Sequence, residues 1–115
     1  MNNIINETIE SYNQYMEKIP VGALYIAECL RTDKISEALS DITAFSEGVL
    51  WLIDVKILLA RSHINAQLEI EKIQEFLSEI NMGLEINDYV LVADMFEYEI
   101  APFFEELVVN KVRIL

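Results

Sequence analysis

Apolar residues recur along this chain in steps of four and three positions, and four separate stretches show the pattern. Side chains spaced in this way lie on one face of an α-helix. No stretch alternates apolar and polar residues between turn residues, as a half-buried strand would. The pattern predicts an all-α protein, an up-down four-helix bundle formed as a single domain by residues 1–115. The last stretch illustrates the spacing, at Tyr89, Ala93, Phe96, Ile100, Phe103 and Leu107.

Proline interrupts the first helical stretch. Pro20 lacks a backbone donor and restricts the residue before it, so we predict a first helix that is kinked or broken there. Its first part covers about residues 3–18 and its second part covers residues 21–31. Pro102 has the same chemistry inside the last helix, where a kink is compatible with the pattern.

The other helices follow short polar segments. We predict helix 2 from an N-cap at Asp33 to a point between residues 61 and 65, helix 3 over residues 65–84, and helix 4 from the caps Asn87 and Asp88 to about Asn110. Gly48 interrupts helix 2 and is expected to mark close helix packing. Segments 30–35 and 84–89 resemble each other, which an internal repeat or convergent capping chemistry explains equally well.

The charge balance restricts the classes of partner that the chain can bind. The chain carries 20 acidic and 8 basic residues, for a formal net charge of -12, yet 53% of its residues are apolar. Nucleic acids and anionic membrane surfaces are bound through clustered Lys and Arg, and no basic stripe is present, so we predict neither partner. A small domain has limited interior, so the apolar surplus favours a surface covered by a protein partner or by a second copy in a homodimer.

The single cysteine, Cys29, cannot form an internal disulfide, and a reducing, cytoplasmic location is therefore expected. The first residues lack the basic segment of a signal peptide. Residues 49–60 form the most apolar run, but Asp54 and Lys56 interrupt it and it is too short to cross a bilayer, so it is expected to be a core helix.

Catalytic motifs are sparse. The one histidine, His63, does not form a Glu-x-x-His pair, which argues against a di-iron bundle, and it is expected to be solvated or capping at a helix end. No glycine-rich phosphate loop and no cofactor or metal motif is apparent. The alternative that remains open is an all-α metal-dependent hydrolase whose carboxylate cluster would combine the pairs Glu7/Glu10 and Asp94/Glu97.

The candidate contact residues are those that the apolar stripes leave outside. Tyr98 and Phe104 lie off the stripe of helix 4, and Trp51 is a further aromatic candidate for the surface. Asp94 and Glu97 lie one turn apart beside that stripe. Solvent exposure is the simpler expectation for these carboxylates and for Asp54; a buried carboxylate would need a tyrosine, Lys56 or Arg61 as partner. The predicted partner-binding residues are Trp51, Asp94, Glu97, Tyr98 and Phe104.

Residues 88–102, DYVLVADMFEYEIAP, resemble the C-terminal signature of a family of short, acidic, uncharacterised helical proteins from Firmicutes, and residues 47–52, EGVLWL, resemble its central motif. The resemblance implies an all-α bundle without a known activity. In size, charge and helical class the chain is also similar to flagellar and type III export chaperones, although no motif ties it to them.

Together these observations predict a non-enzymatic bacterial bundle that acts through protein–protein contact, as an adaptor, a chaperone-like protein or a homodimer. Besides the hydrolase, an antitoxin-like regulatory partner is the remaining alternative.

Overall fold

The computed structural model describes residues 2–113, and these form an all-α bundle without strands. Its overall dimensions are 47 × 21 × 21 Å. The last three elements follow one another without a loop and are called the fourth rod below. The elements are α1 Asn2–Arg31, α2 Ile35–Ala60, α3 Ile70–Glu85, α4 Tyr89–Met95, a π-helical turn Phe96–Ile100, and α5 Ala101–Val109.

Helix α1 organises the bundle, because it packs against α2 and against the whole fourth rod. It is antiparallel to the fourth rod. Arg31, at its C-terminal end, bonds Asp94, whereas Asn13 exchanges hydrogen bonds of 2.8 and 3.1 Å with the backbone of Val112. In the core, the ring of Phe45 from α2 meets Phe96 of the fourth rod edge-on, with ring centroids 5.2 Å apart. The predicted four-helix architecture is therefore confirmed.

Pro20 does not end α1: of the two outcomes predicted there, a kink or a break, the break is wrong. Helical structure continues from Asn2 to Arg31. Pro20 is buried, as are Ile19 and Ala23 beside it. The missing donor removes one intrahelical hydrogen bond, and the apolar packing of the neighbouring residues on both sides keeps the two halves in one helix.

Helix α3 begins at Ile70, five residues later than predicted from the apolar spacing. Residues 64–69 have no regular structure, and burial alternates there, with Ala66 and Leu68 inside and Gln67 outside. This period of two is that of an extended chain. The Lys56 ammonium group donates a hydrogen bond to the Ala66 carbonyl, which explains a charged residue in the apolar run of α2.

The fourth rod changes its winding before Pro102. The Ala101 N–H bonds the carbonyl of Phe96, five residues back, so the turn holds one residue more than an α-helical turn. The extra residue rotates the following helix. As a result Phe104 is fully buried, while Phe103, which the regular spacing assigned to the core, is half-buried.

The three connections between rods share one geometry. Asp33, His63 and Asn87 all have left-handed backbone angles, with φ of 63°, 63° and 55°. In each, the next N–H bonds a carbonyl five residues back, a Schellman-type ending that usually carries glycine. Asp33 is thus the end of one helix and not the predicted N-cap of the next; Lys34 takes that position. Asp88 does cap α4, accepting from Leu91 N–H at 3.1 Å.

Replacing His63 by glycine is expected to stabilise the protein by about 0.5–1 kcal/mol, because the left-handed conformation strains a residue with a Cβ. Urea denaturation followed by circular dichroism measures the change. His63→Ala retains the Cβ and serves as the control, with no gain expected. A loss of stability in His63→Gly would mean that the imidazole itself holds the turn.

Candidate functional site

The structure places the five predicted contact residues in three different environments. Tyr98 is 66% exposed and Trp51 is 39% exposed, which agrees with their assignment to the surface. Asp94 is exposed and Glu97 is half-buried. Phe104 is 0% exposed, so the prediction that it lies on the surface is wrong. Its ring packs edge-on against Phe103 and Phe45 in the core, where it cannot contact a partner.

Trp51 and Tyr98 do not form one surface. Trp51 packs edge-on against Tyr15 of α1, with ring centroids 6.0 Å apart. Tyr98 belongs to the fourth rod, which approaches α1 at Arg31. Residues 15 and 31 of one α-helix point about 160° apart at 3.6 residues per turn. The two aromatic side chains therefore lie on opposite sides of α1.

Asp94 and Glu97 are held by a residue of α1 that the sequence did not single out. The Arg31 guanidinium lies 3.1 Å from the Asp94 carboxylate and 2.8 Å from that of Glu97. The carboxylates of Glu97 and Asp94 raise the pKa of Arg31 above its usual value. The antiparallel pairing of α1 with the fourth rod brings this cation to the acids, and only the tertiary arrangement reveals it. The cluster links two rods and leaves both carboxylates with an internal partner.

Arg31→Gln is expected to cause a small loss of stability, because it removes a partly exposed ion-pair cluster and leaves two acids near each other. The loss should shrink in 1 M salt, where exposed charges are screened. Thermal melts at low and high salt test this, with Arg61→Gln as a control at another helix end. A salt-independent loss would indicate that Arg31 acts through packing.

The four carboxylates of the hydrolase alternative are not brought together. Glu7 and Glu10 lie in the same continuous helix as Arg31, 24 and 21 residues before it. At 1.5 Å per residue that places them roughly 30–36 Å from the end where Asp94 and Glu97 bind Arg31. Among residues 2–113, no group of three or more His, Cys, Asp or Glu side chains is placed to hold a metal ion.

An apolar groove runs between α1 and α2. It has a volume of about 280 Å³. Tyr25 at its edge donates a hydrogen bond to Glu37, which raises the pKa of the tyrosine above its usual value. Tyr15, which also lines the groove, packs edge-on against Trp51 outside it. Residues that line this α1–α2 groove include Tyr15, Ile19, Gly22 and Tyr25 of α1 and Asp41 and Ala44 of α2.

Helix α2 exposes large apolar side chains on both sides of its outer surface. Ala44, Trp51 and Leu58 follow one another at seven-residue intervals, and all three are exposed; Ala44 also lines the groove. Leu50 and Ile57 form a second line and are 51% and 47% exposed. A helix that is apolar nearly all round is normally buried. The four-three stripe alone does not reveal this second line, which a comparison of both flanks of the predicted helix would have shown.

Two glycines at this interface have opposite surroundings. A Cβ built on Gly48 falls 1.6 Å from the Tyr15 hydroxyl oxygen, so Gly48 admits the Tyr15 ring, as close helix packing predicts. A Cβ built on Gly22 has no atom within 4 Å, and the residue has no positive φ. Nothing in the described residues thus requires a glycine at position 22, although it costs an α-helix about 1 kcal/mol relative to alanine.

Among the buried side-chain nitrogen and oxygen atoms of residues 2–113, one has no hydrogen-bond partner. The Tyr12 hydroxyl makes no hydrogen bond, and burial raises its pKa from 10.0 to about 12. The Tyr12 hydroxyl therefore loses its proton at a lower pH in the unfolded chain than in the folded protein. Stability should fall as pH rises from about 10 to about 12, because the unfolded state gains from this ionisation first. Tyr12→Phe is expected to remove that part of the pH dependence, with stability unchanged or up to about 1 kcal/mol higher near neutral pH. Urea unfolding at several alkaline pH values measures it; an unchanged pH profile would contradict the assignment.

The family defined by DUF8042, a domain of unknown function, matches residues 7–109. The match begins inside α1 and includes all of α2, α3 and the fourth rod. No curated protein and no solved structure matches the sequence. Within the described residues, no helix is both long enough and apolar enough to cross a membrane.

Proposed function

We propose that this chain, which belongs to the DUF8042 family, is a non-enzymatic binding protein that acts through protein–protein contact. The observation that carries the proposal is the outer surface of α2, where Leu50, Trp51 and Leu58 are 51%, 39% and 52% exposed. Exposed apolar side chains gathered on one helix mark an interaction surface, because covering them removes apolar area from water at about 25 cal/mol per Å².

Helix-in-groove packing is the binding mode that suits this surface. The α1–α2 groove lies between two long helices and adjoins an exposed aromatic ring, as do grooves that accept an amphipathic helix. A chaperone-like or adaptor role follows, in which the groove shields an apolar helix of a client. A homodimer would shield the same surface with a second copy. The buried thiol of Cys29 suits the reducing cytoplasm that we propose as the location.

Site-specific photocrosslinking in cells tests the proposal. A photoreactive phenylalanine analogue is placed at position 51, at position 58, and at Glu79, which is exposed on α3. We expect crosslinked protein at positions 51 and 58 and little at 79. Equal labelling at all three positions would contradict a surface on α2. So would the absence of crosslinks together with light scattering that shows a monomer at high concentration.

A further inference from the structure

We infer that the α1–α2 groove binds one amphipathic helix of another protein, with a basic flank, and not a second copy of this chain. The inference rests on the proposed function and specifies its partner. It combines three observations: the length of the apolar line on α2, the unexplained opening at Gly22, and the charges along the groove.

The apolar line fits a helix of about four turns. Ala44, Trp51 and Leu58 extend over 14 residues of α2, about 21 Å at 1.5 Å per residue. Their seven-residue spacing is the repeat with which one α-helix meets another along a shared seam. A partner helix of similar length can therefore place one apolar side chain against each of them.

Gly22 supplies space that the fold does not use. It lines the groove opposite Ala44, and a Cβ there would meet no atom within 4 Å. Since alanine would favour the helix and glycine has no packing or backbone role here, the opening is explained by an atom that comes from outside the chain. Close approach of a partner helix needs a small residue at the crossing point.

The groove itself is lined by one acid and one base, and it is the exposed acidic side chains of α2 that favour a basic partner. Asp41 lines the groove, and Glu47 and Asp54 are exposed four residues before and three residues after Trp51. The groove has Lys18 on its lining, while Lys56 of α2 is bonded to the Ala66 carbonyl. A second copy would bring its own net charge of -12 to the interface. Lys and Arg beside the apolar face of the partner would instead meet opposite charges.

Designed peptides test the inference directly. Two amphipathic peptides of about 18 residues share one leucine face, and carry either lysine or glutamate on both flanks. Trp51 is the only tryptophan and packs against Tyr15 of the groove lining, so a blue shift of its emission reports binding next to the groove, and calorimetry gives the affinity. We expect the lysine peptide to bind at least about tenfold more tightly than the glutamate peptide.

Variants at Gly22 separate groove binding from general attraction to an acidic protein. Gly22→Ala adds one Cβ at the crossing point and is expected to weaken binding of the lysine peptide only slightly. Gly22→Phe starts from a position where a Cβ meets no atom within 4 Å, places a ring at the groove and should weaken binding at least about tenfold. Circular dichroism confirms that both variants fold. Asp41→Asn should weaken the lysine peptide selectively.

Four results would overturn the inference. Equal binding of both peptides would remove the charge argument, and unchanged binding to Gly22→Phe would place the peptide elsewhere. A dimer that dissociates in Gly22→Phe would make a second copy the occupant. If crosslinks at position 51 persist while no lysine peptide binds, the inference fails and the proposed function stands. If the crosslinks at position 51 and the binding of the lysine peptide are both absent, the proposed function fails as well.

Discussion

Phe104→Ala is expected to destabilise the protein by about 3–5 kcal/mol, the cost of emptying a fully buried aromatic site. Phe104 is 0% exposed, and its ring meets those of Phe103 and Phe45 edge-on at centroid distances of 5.1 and 6.3 Å. The truncation loses both ring contacts and leaves a cavity between α2 and the fourth rod. Small domains are stable by only about 5–15 kcal/mol, so this loss is a large part of the total. The variant should therefore unfold at modest urea concentrations.

Phe103→Ala is the matched control, one residue away in the same helix. Phe103 is half-buried and touches Phe76 of α3 at a centroid distance of 5.3 Å, so we expect a smaller cost of about 2 kcal/mol. Urea denaturation of both variants measures the difference. The regular four-three spacing predicts the reverse order, so a larger loss for Phe103→Ala would show that the π-helical turn is absent in solution.

Gly48→Ala is expected to cost about 1–3 kcal/mol even though alanine favours helices. The new Cβ would lie 1.6 Å from the Tyr15 hydroxyl oxygen and 2.2 Å from Cζ of that ring. The rigid ring must swing away, which disturbs its edge-on contact with Trp51. Thermal and urea unfolding give the change in stability, and the tryptophan emission reports the displaced ring.

Gly22→Ala provides the matched control, because it makes the same chemical change in a helix with nothing within 4 Å. It should stabilise the protein by about 1 kcal/mol. A double-mutant cycle with Tyr15→Ala isolates the clash, since Gly48→Ala should then become favourable by a similar amount. A Gly48→Ala penalty that persists without the Tyr15 ring would assign the effect to some other contact.

The regular helices could be predicted because their residues follow one period. In α2 the residues at four-three spacing are buried throughout: Ala38, Ile42, Phe45, Val49 and Leu52. The cap at Asp88 and the close packing at Gly48 were also evident, since each depends on local chemistry that a single residue type supplies. Local rules of this kind were enough to predict the fold class.

The predictions from the sequence fail where contacts between distant parts of the chain determine the structure. The regular period places Phe104 outside, and the extra residue of the π-helical turn moves it inside. Ala66 fits the apolar spacing of a helix, although it is buried in an extended segment. Arg31 finds its two carboxylates only because α1 and the fourth rod are antiparallel. The groove depends in the same way on which flank of α2 remains uncovered.

The π-helical turn also determines where the fourth rod can lose a residue. Between Phe96 and Phe104, both fully buried, the chain has one residue more than a uniform α-helical path through the same core positions would need. The surplus is accommodated where Tyr98 and Glu99 are exposed. Deletion of either Tyr98 or Glu99 would therefore leave the aromatic core in register. Deletion of a residue elsewhere in the rod would not. Single-residue gaps among natural relatives are expected at this turn, and Tyr98 is then a position that evolution can remove without refolding the bundle.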